Sequence, residues 1–210
     1  MLIEIFSDVI CPWCFIGTRR LERALAQRPD LDARISWRAF QLNPWMPPEG
    51  MTRAAYLEAK FGSRDARRIY DDIRRVGETE GISFRFDLIP RTPNTLNAHR
   101  LIRLAGQHGR QDQVVEALFG AYFLEGRDIG DMAVLSDIGA RANLAFPGDA
   151  DDTDADPIRA EDMRARQIGI QGVPCFVIDR SYAVSGAQEP EYFLPLFDLV
   201  QNGRDQAASA

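Results

Sequence analysis

The sequence predicts an α/β protein: a four-stranded sheet built from the two ends of the chain, with a large all-helical insertion between them. Three patterns lead there. The first forty or so residues read strand, helix, strand. The last sixty or so read helix, strand, strand, helix. Between them, apolar residues recur at helical spacing and Gly and Pro mark the breaks. Pairing the outer segments divides the chain into 1–48 and 151–210, the two parts of the sheet domain, and 49–150, the inserted helical domain.

Leu2 to Ser7 is a short apolar run of the kind that forms a buried strand. Cys11-Pro12 opens a helix, because proline suits the first helical position, where its missing N–H would be unpaired anyway. Trp13, Phe15, Ile16, Leu21, Ala24 and Leu25 face inward; Arg19, Arg20, Glu22 and Arg23 form the wet side, and Pro29-Asp30 stops the helix. Ile35 to Phe40 alternates at period two and makes a second strand.

Pro44, Pro47 and Pro48 mark a linker. Thr52 caps a helix that runs to about Phe61, and a charged amphipathic helix spans Ala66 to Glu80, closed by Gly81. Phe84 to Pro93 is an extended connection. Helices follow over Asn94–His108, Gln111–Glu125 and Asp131–Asn143, the last capped by Asp131. Gly148 to Asp156 is rich in Asp. A calcium loop would need Gly at its sixth position and Glu at its twelfth. Starting from Asp149 these are Asp154 and Ala160, and from Asp152 they are Pro157 and Met163. The stretch therefore reads as an acidic helix start, and the helix runs to about Gln167. Pro174 to Ile178 and Tyr182 to Ser185 are strands, Gly186 breaks the second, and Glu189 to Val200 is a closing helix. Gln206 to Ala210 should be loose.

The 210 residues are 45% hydrophobic and 27% charged, which is globular composition. A net charge of -6 argues against nucleic-acid binding, and no uncharged apolar run approaches the ~18 residues of a membrane helix. Three cysteines do not make a disulfide scaffold. The opening Met1-Leu2-Ile3-Glu4 has no basic and long apolar stretch of a leader, so a cytoplasmic protein is expected if Met1 is the true start.

Cys11-Pro12-Trp13-Cys14 carries the chemistry. A C-x-x-C that follows a strand and opens a helix has the context of a redox pair. A thiol at a helix start meets unpaired N–H groups and the positive end of the dipole, and both stabilise the thiolate. Cys11, nearest the terminus and exposed, is the expected nucleophile. Cys14, one turn deeper and buried, is the expected resolving thiol. Zinc would need two more ligands, and Cys175 with His99 or His108 does not supply the usual tight second pair. No metal is expected.

Phe6-Ser7-Asp8, Cys11-Pro12-Trp13-Cys14 and Gly172-Val173-Pro174 resemble the DsbA family of the thioredoxin superfamily. Pro93 to Arg100, Glu125 to Ile129 and Val184 to Gln188 resemble its FrnE-type subgroup. The resemblance implies a thioredoxin-like fold with an inserted helical domain, and thiol–disulfide oxidoreductase activity on disulfide-containing proteins or small thiols. It implies no tightly bound cofactor, with glutathione as a candidate co-substrate. It also implies a cis-proline at Pro174 opposite the helix start, so that Val173, Pro174, Pro12 and Trp13 shape substrate binding. Related isomerases of 2-hydroxychromene-2-carboxylate and kappa-class glutathione transferases carry serine at the position matching Cys11. A glutathione-dependent isomerase or transferase is therefore the alternative, with Trp13, Phe15, Trp37, Phe40 and Trp45 as its apolar pocket. A redox-responsive binding module is a third.

Two features depart from the family pattern. A buried acid commonly stands six residues before the first cysteine, but here that position is Ile5. Its neighbour Glu4 should point to the other face, which leaves Cys14 without an evident proton acceptor. Cys175 follows the proline and reads as a small buried strand residue rather than a third redox thiol. His99 reads as a half-buried structural histidine.

Overall fold

The computed structural model describes residues 1–62, 66–146 and 155–208. Strand β1 (Leu2–Ser7), helix α1 (Pro12–Ala26) and strand β2 (Arg34–Ala39) form a β–α–β unit whose strands pair in parallel, Ile5 opposite Trp37. Strands β5 (Cys175–Ile178) and β6 (Tyr182–Ser185) return from the other end of the chain. β5 pairs antiparallel with β1, Phe6 opposite Cys175, and the sheet order is β2-β1-β5-β6. Its strands alternate inward residues as the period-two pattern requires, so Ile3, Ile5, Phe176 and Ile178 lie in the core.

The middle of the chain is not wholly helical. Met51–Thr52 (β3) and Arg91–Thr92 (β4) pair as a short antiparallel ladder, and Phe86–Leu88 makes a 3₁₀ turn inside the expected extended connection. Two-residue strands carry no periodicity, which is why sequence pattern passes over them. Around this ladder lie α2 (Arg53–Phe61), α3 (Ala66–Thr79), α4 (Leu96–Gln107), α5 (Gln111–Phe119) and α6 (Met132–Arg141). Thr52 and Asp131 cap α2 and α6 as expected, through the N–H groups of Ala55 and Ala133. The expected helix to Glu125 changes pitch, passing from α5 into a π turn at Gly120–Leu124. α7 (Ala155–Gln167) returns to the sheet, and α8 (Leu194–Ala208) closes it after a 3₁₀ turn at Pro190–Tyr192. Helix continues to Ala208 where a loose end was expected; Ser209 and Ala210 lie outside the described residues, as does the Asp-rich run from Gly148 to Asp154.

One hydrophobic core runs through the sheet and the helices of the middle segment. Phe15 of α1 stacks on Phe119 of α5 at 4.9 Å between centroids and meets Phe84 edge-on at 6.0 Å. Phe123 joins both, and Trp37 of β2 meets Phe119 at 6.5 Å. Such contacts add roughly 0.5–1.5 kcal/mol each to the burial of the rings.

The outer edge of β2 is closed by side chains. The Gln111 amide accepts from the Trp37 N–H and donates to its carbonyl; Glu161 accepts the Ala39 N–H and Asp162 the Gln41 N–H. Both carboxylates come from α7.

Arg20 is not on the wet side. It is buried, donating to Glu80 at 2.8 Å, to the Ala187 carbonyl at 2.6 Å and pairing with Glu189 at 2.6 Å. Helical periodicity reads it as a wet-side charge, but the Glu80 carboxylate, just past the end of α3, covers it. The Glu80 side chain, 2% exposed, also binds Arg23. Burial alone would raise the Glu80 carboxyl, but the hydrogen bonds from Arg20 and Arg23 outweigh it and hold it below the usual glutamate range. A carboxyl lowered by folding contributes stability above its unfolded pKa and loses it as pH falls through the folded one. Glu80→Gln is therefore expected to lower Tm at neutral pH and to converge on the parent as the pH falls through the lowered carboxyl pKa of the folded state. Parallel Tm–pH profiles would contradict this.

Candidate functional site

The site begins where β1 ends. Asp8 turns the chain, its carbonyl accepting the Cys11 N–H at 2.9 Å. Cys11 is then the N-cap of α1, extended at φ -93° and ψ 112°, with Pro12 in the first turn. This places the Cys11 sulfur against the backbone N–H groups of Trp13 and Cys14 at the helix start. The Cys14 thiol and these N–H groups stabilise the thiolate and hold Cys11 below the ordinary thiol value, although burial and the charge of Asp8 oppose them.

Cys14 lies one turn further in and is buried. Burial, then the hydrogen bond and charge of Cys11, push its thiol well above the ordinary value, with the Ser7 hydroxyl and the Asp8 N–H pulling weakly the other way. Two neighbouring sulfurs are thereby made unequal, one inclined to ionise and one not. An attacking thiolate beside a held-back thiol is the arrangement that disulfide exchange requires.

Cys11 was expected to be exposed and is not: only 4% of it meets solvent. The Val173 carbonyl lies over it, 3.6 Å from the thiol that donates to it. The Val173–Pro174 peptide is cis. Trp13, 38% exposed, is the most open member of the motif. The structure thus brings Cys11, Cys14, Pro12, Trp13, Val173 and Pro174 to one helix start.

The fit between α1 and the Pro174 loop depends on Gly17. A Cβ there would stand 2.9 Å from Pro174 Cγ and 3.1 Å from Phe176 Cζ. Gly17→Val is expected to displace Pro174, to cost about 1–3 kcal/mol by overpacking, and to speed alkylation of Cys11 as Val173 moves off it. A variant with parental Tm and alkylation rate would contradict the close fit.

The other marked residues have plain positions. Cys175 is buried among Phe6, Phe40 and Ala165, and burial raises its thiol, as expected of a strand residue. Glu4 pairs with Arg38 at 2.6 Å, away from the sulfurs. Phe15, Trp37 and Phe40 are core residues and Trp45 is exposed, so these four do not form the apolar pocket considered for an isomerase. Among the described residues no cluster of three or more metal-binding side chains occurs, and no helix is long and apolar enough to cross a membrane.

Sequence reasoning missed Asp8. It is completely buried, although it reads as an ordinary turn residue. His99, expected to be half-buried, is 3% exposed, and its Nε2 faces Asp8 Oδ1 at 3.6 Å. A signal was available: an Asp between an apolar strand and a C-x-x-C helix lies next to the sulfurs wherever they point.

A strand–loop–helix presenting two unequal thiols beside a cis-proline, on a sheet ordered β2-β1-β5-β6, defines a thioredoxin-fold protein with added helices. Residues 2–197 match the DSBA-like thioredoxin domain, and the chain belongs to that family. It is similar to a probable DsbA oxidoreductase from Streptomyces coelicolor: 32% identity, TM-score 0.85, covering 96% of this chain and 90% of that one. Two more distant structures share the fold. One is a 2-hydroxychromene-2-carboxylate isomerase (16% identity, TM-score 0.68, all of both chains). The other is the cytosolic disulfide reductase DsbM of Pseudomonas aeruginosa with GSH (17%, TM-score 0.67, 96% and 100%). The uncharacterized protein YwbO of Bacillus subtilis is 24% identical over 142 residues, 68% of this chain and 66% of its own length.

Proposed function

We propose that this protein is a thiol–disulfide oxidoreductase that acts through Cys11 and Cys14 on disulfide-containing proteins or small thiols. The observation that carries the reading is the inequality of the two sulfurs at one helix start, Cys11 lowered and Cys14 raised. The Cys11 thiolate attacks a substrate disulfide, one substrate thiolate leaves, and a mixed disulfide forms. Cys14 then attacks the Cys11 sulfur, the second substrate thiolate leaves, and the protein holds the disulfide. Two electrons pass from protein to substrate, and a small thiol such as glutathione returns them. Val173, Pro174, Pro12 and Trp13 line the approach. The cytosolic reductase seen with GSH among the fold neighbours makes glutathione the first thiol to test, and a cytoplasmic location fits the reducing direction.

Reduction of insulin with glutathione as electron source, followed by turbidity, tests this. Catalysis by the parent protein is expected; its absence, with glutathione and with dithiothreitol, overturns the reading. In the alternative, glutathione-dependent isomerisation of an aromatic substrate, Cys14 would be idle. Cys14→Ser should therefore abolish multiple turnover in the first case and leave it intact in the second.

A further inference from the structure

The middle segment holds a crevice that none of the chemistry above uses. It lies between α2, the first half of α3 and the 3₁₀ turn at Phe86, and its volume is about 400 Å³. Pockets for small ligands start near ~300 Å³. Leu57, Ala66, Tyr70 and Phe86 make its apolar walls. The Tyr70 and Phe86 rings meet edge to face with 4.8 Å between centroids, which leaves an aromatic corner. None of the lining residues belongs to the helix start of Cys11 or to the Pro174 loop.

One charge in this crevice is unanswered. Arg53 is half-buried, with its guanidinium 4.6 Å from the Tyr70 ring centroid and 5.7 Å from that of Tyr56. A cation drawn back from water ordinarily meets a carboxylate. Among the described residues Arg53 forms no ion pair, and its Nη1 donates to the Thr92 hydroxyl at 3.5 Å. The two carboxylates on the rim are already engaged, Asp71 by Arg74 at 2.6 Å and Asp87 by Arg85 at 2.8 Å. Burial raises the Tyr70 hydroxyl above its ordinary value although the Arg53 charge opposes this, so at neutral pH the phenol supplies no counter-charge. Arg53 thus brings a full positive charge and spare N–H donors to an aromatic wall.

We propose that this crevice binds a small aromatic acid, its ring against Tyr70 and Phe86 and its carboxylate on Arg53. A carboxylate matches the guanidinium fork in both charge and shape. A flat ring matches the corner of the two aromatic side chains, with Leu57 and Ala66 closing the sides. An uncharged apolar ligand would strip water from Arg53 and give it no partner, and a cation would meet Arg53 and Arg74 with like charge. The site is separate from the two sulfurs and stands whether or not they exchange disulfides.

The probe is 2-naphthoate, with 2-naphthalenemethanol as its uncharged counterpart, titrated into the whole chain and followed by two-dimensional amide NMR. The acid is expected to move the signals of Leu57, Tyr70 and Phe86 with a Kd on the order of 1 mM or below, a reasonable affinity for a ligand of about a dozen heavy atoms. The alcohol should bind about tenfold more weakly, for want of the charged hydrogen bonds. Arg53→Gln should weaken the acid about tenfold and leave the alcohol unchanged, while Phe86→Ala should weaken both. Equal affinity for acid and alcohol, an acid that Arg53→Gln does not weaken, or shifts centred elsewhere would overturn the proposal. Tighter binding of a capped dipeptide of phenylalanine and glutamate than of naphthoate would make the occupant a segment of a protein partner, and would overturn the assignment to a small ligand. If Phe86→Ala does not fold, Arg53→Gln decides with the same two probes.

Discussion

Cys11→Ser is expected to reduce insulin reduction to the uncatalysed background, a loss of more than about 10³-fold, while Cys14→Ser should stop after half a cycle. Serine has the size of cysteine but does not ionise in this range. The N–H groups of Trp13 and Cys14, which favour the Cys11 thiolate, then have no anion to stabilise. In Cys14→Ser the nucleophile remains and the resolving atom is gone, so the mixed disulfide accumulates. Mass spectrometry should find one glutathione per chain after incubation with oxidised glutathione, removable by reductant. Removing Cys14 also removes the hydrogen bond that does most to lower Cys11. The adduct should therefore form more slowly than the parent's first step at neutral pH. Full turnover by Cys11→Ser, or no adduct on Cys14→Ser, would refute the assigned order of the two sulfurs.

Phe119→Ala should cost about 3–5 kcal/mol, the usual range for a buried phenylalanine. In a chain of this size each kcal/mol shifts Tm by roughly 2–4 °C, so a fall near 10 °C is expected. Phe119 is fully buried, stacks on Phe15 and meets Trp37 and Phe123. It therefore touches α1, β2 and its own side of the core at once. Calorimetry should show a single transition in the parent and in the variant, because the sheet and the middle helices share this cluster. Two separated transitions, with only one moved by the substitution, would show that the two parts fold independently.

Much of this architecture was legible in the sequence because the signals were local. Leu2–Ser7, Thr52 and Asp131 announced a strand and two caps through apolar runs and capping oxygens, and each stands where expected. The C-x-x-C helix start was legible for the same reason: helix start, spacing and residue type lie within four positions. What could not be read depended on distant segments. Arg20 is buried by Glu80, sixty positions away, and Cys11 is covered by Val173, more than a hundred and fifty away. Asp8 meets His99 only because α4 brings that side chain to it. The short β3–β4 ladder failed on length instead, since two residues cannot express an alternation.

The side chains along β2 also bear on how these molecules meet one another at high concentration. With Trp37, Ala39 and Gln41 already engaged by Gln111, Glu161 and Asp162, an incoming polypeptide finds no open row of donors on that flank. Templated growth is left to the opposite flank, where β6 offers four residues between Arg180 at φ 57° and Gly186 at φ 81°. So short a ledge, bounded by left-handed kinks at either end, gives fibrous association little to lengthen upon.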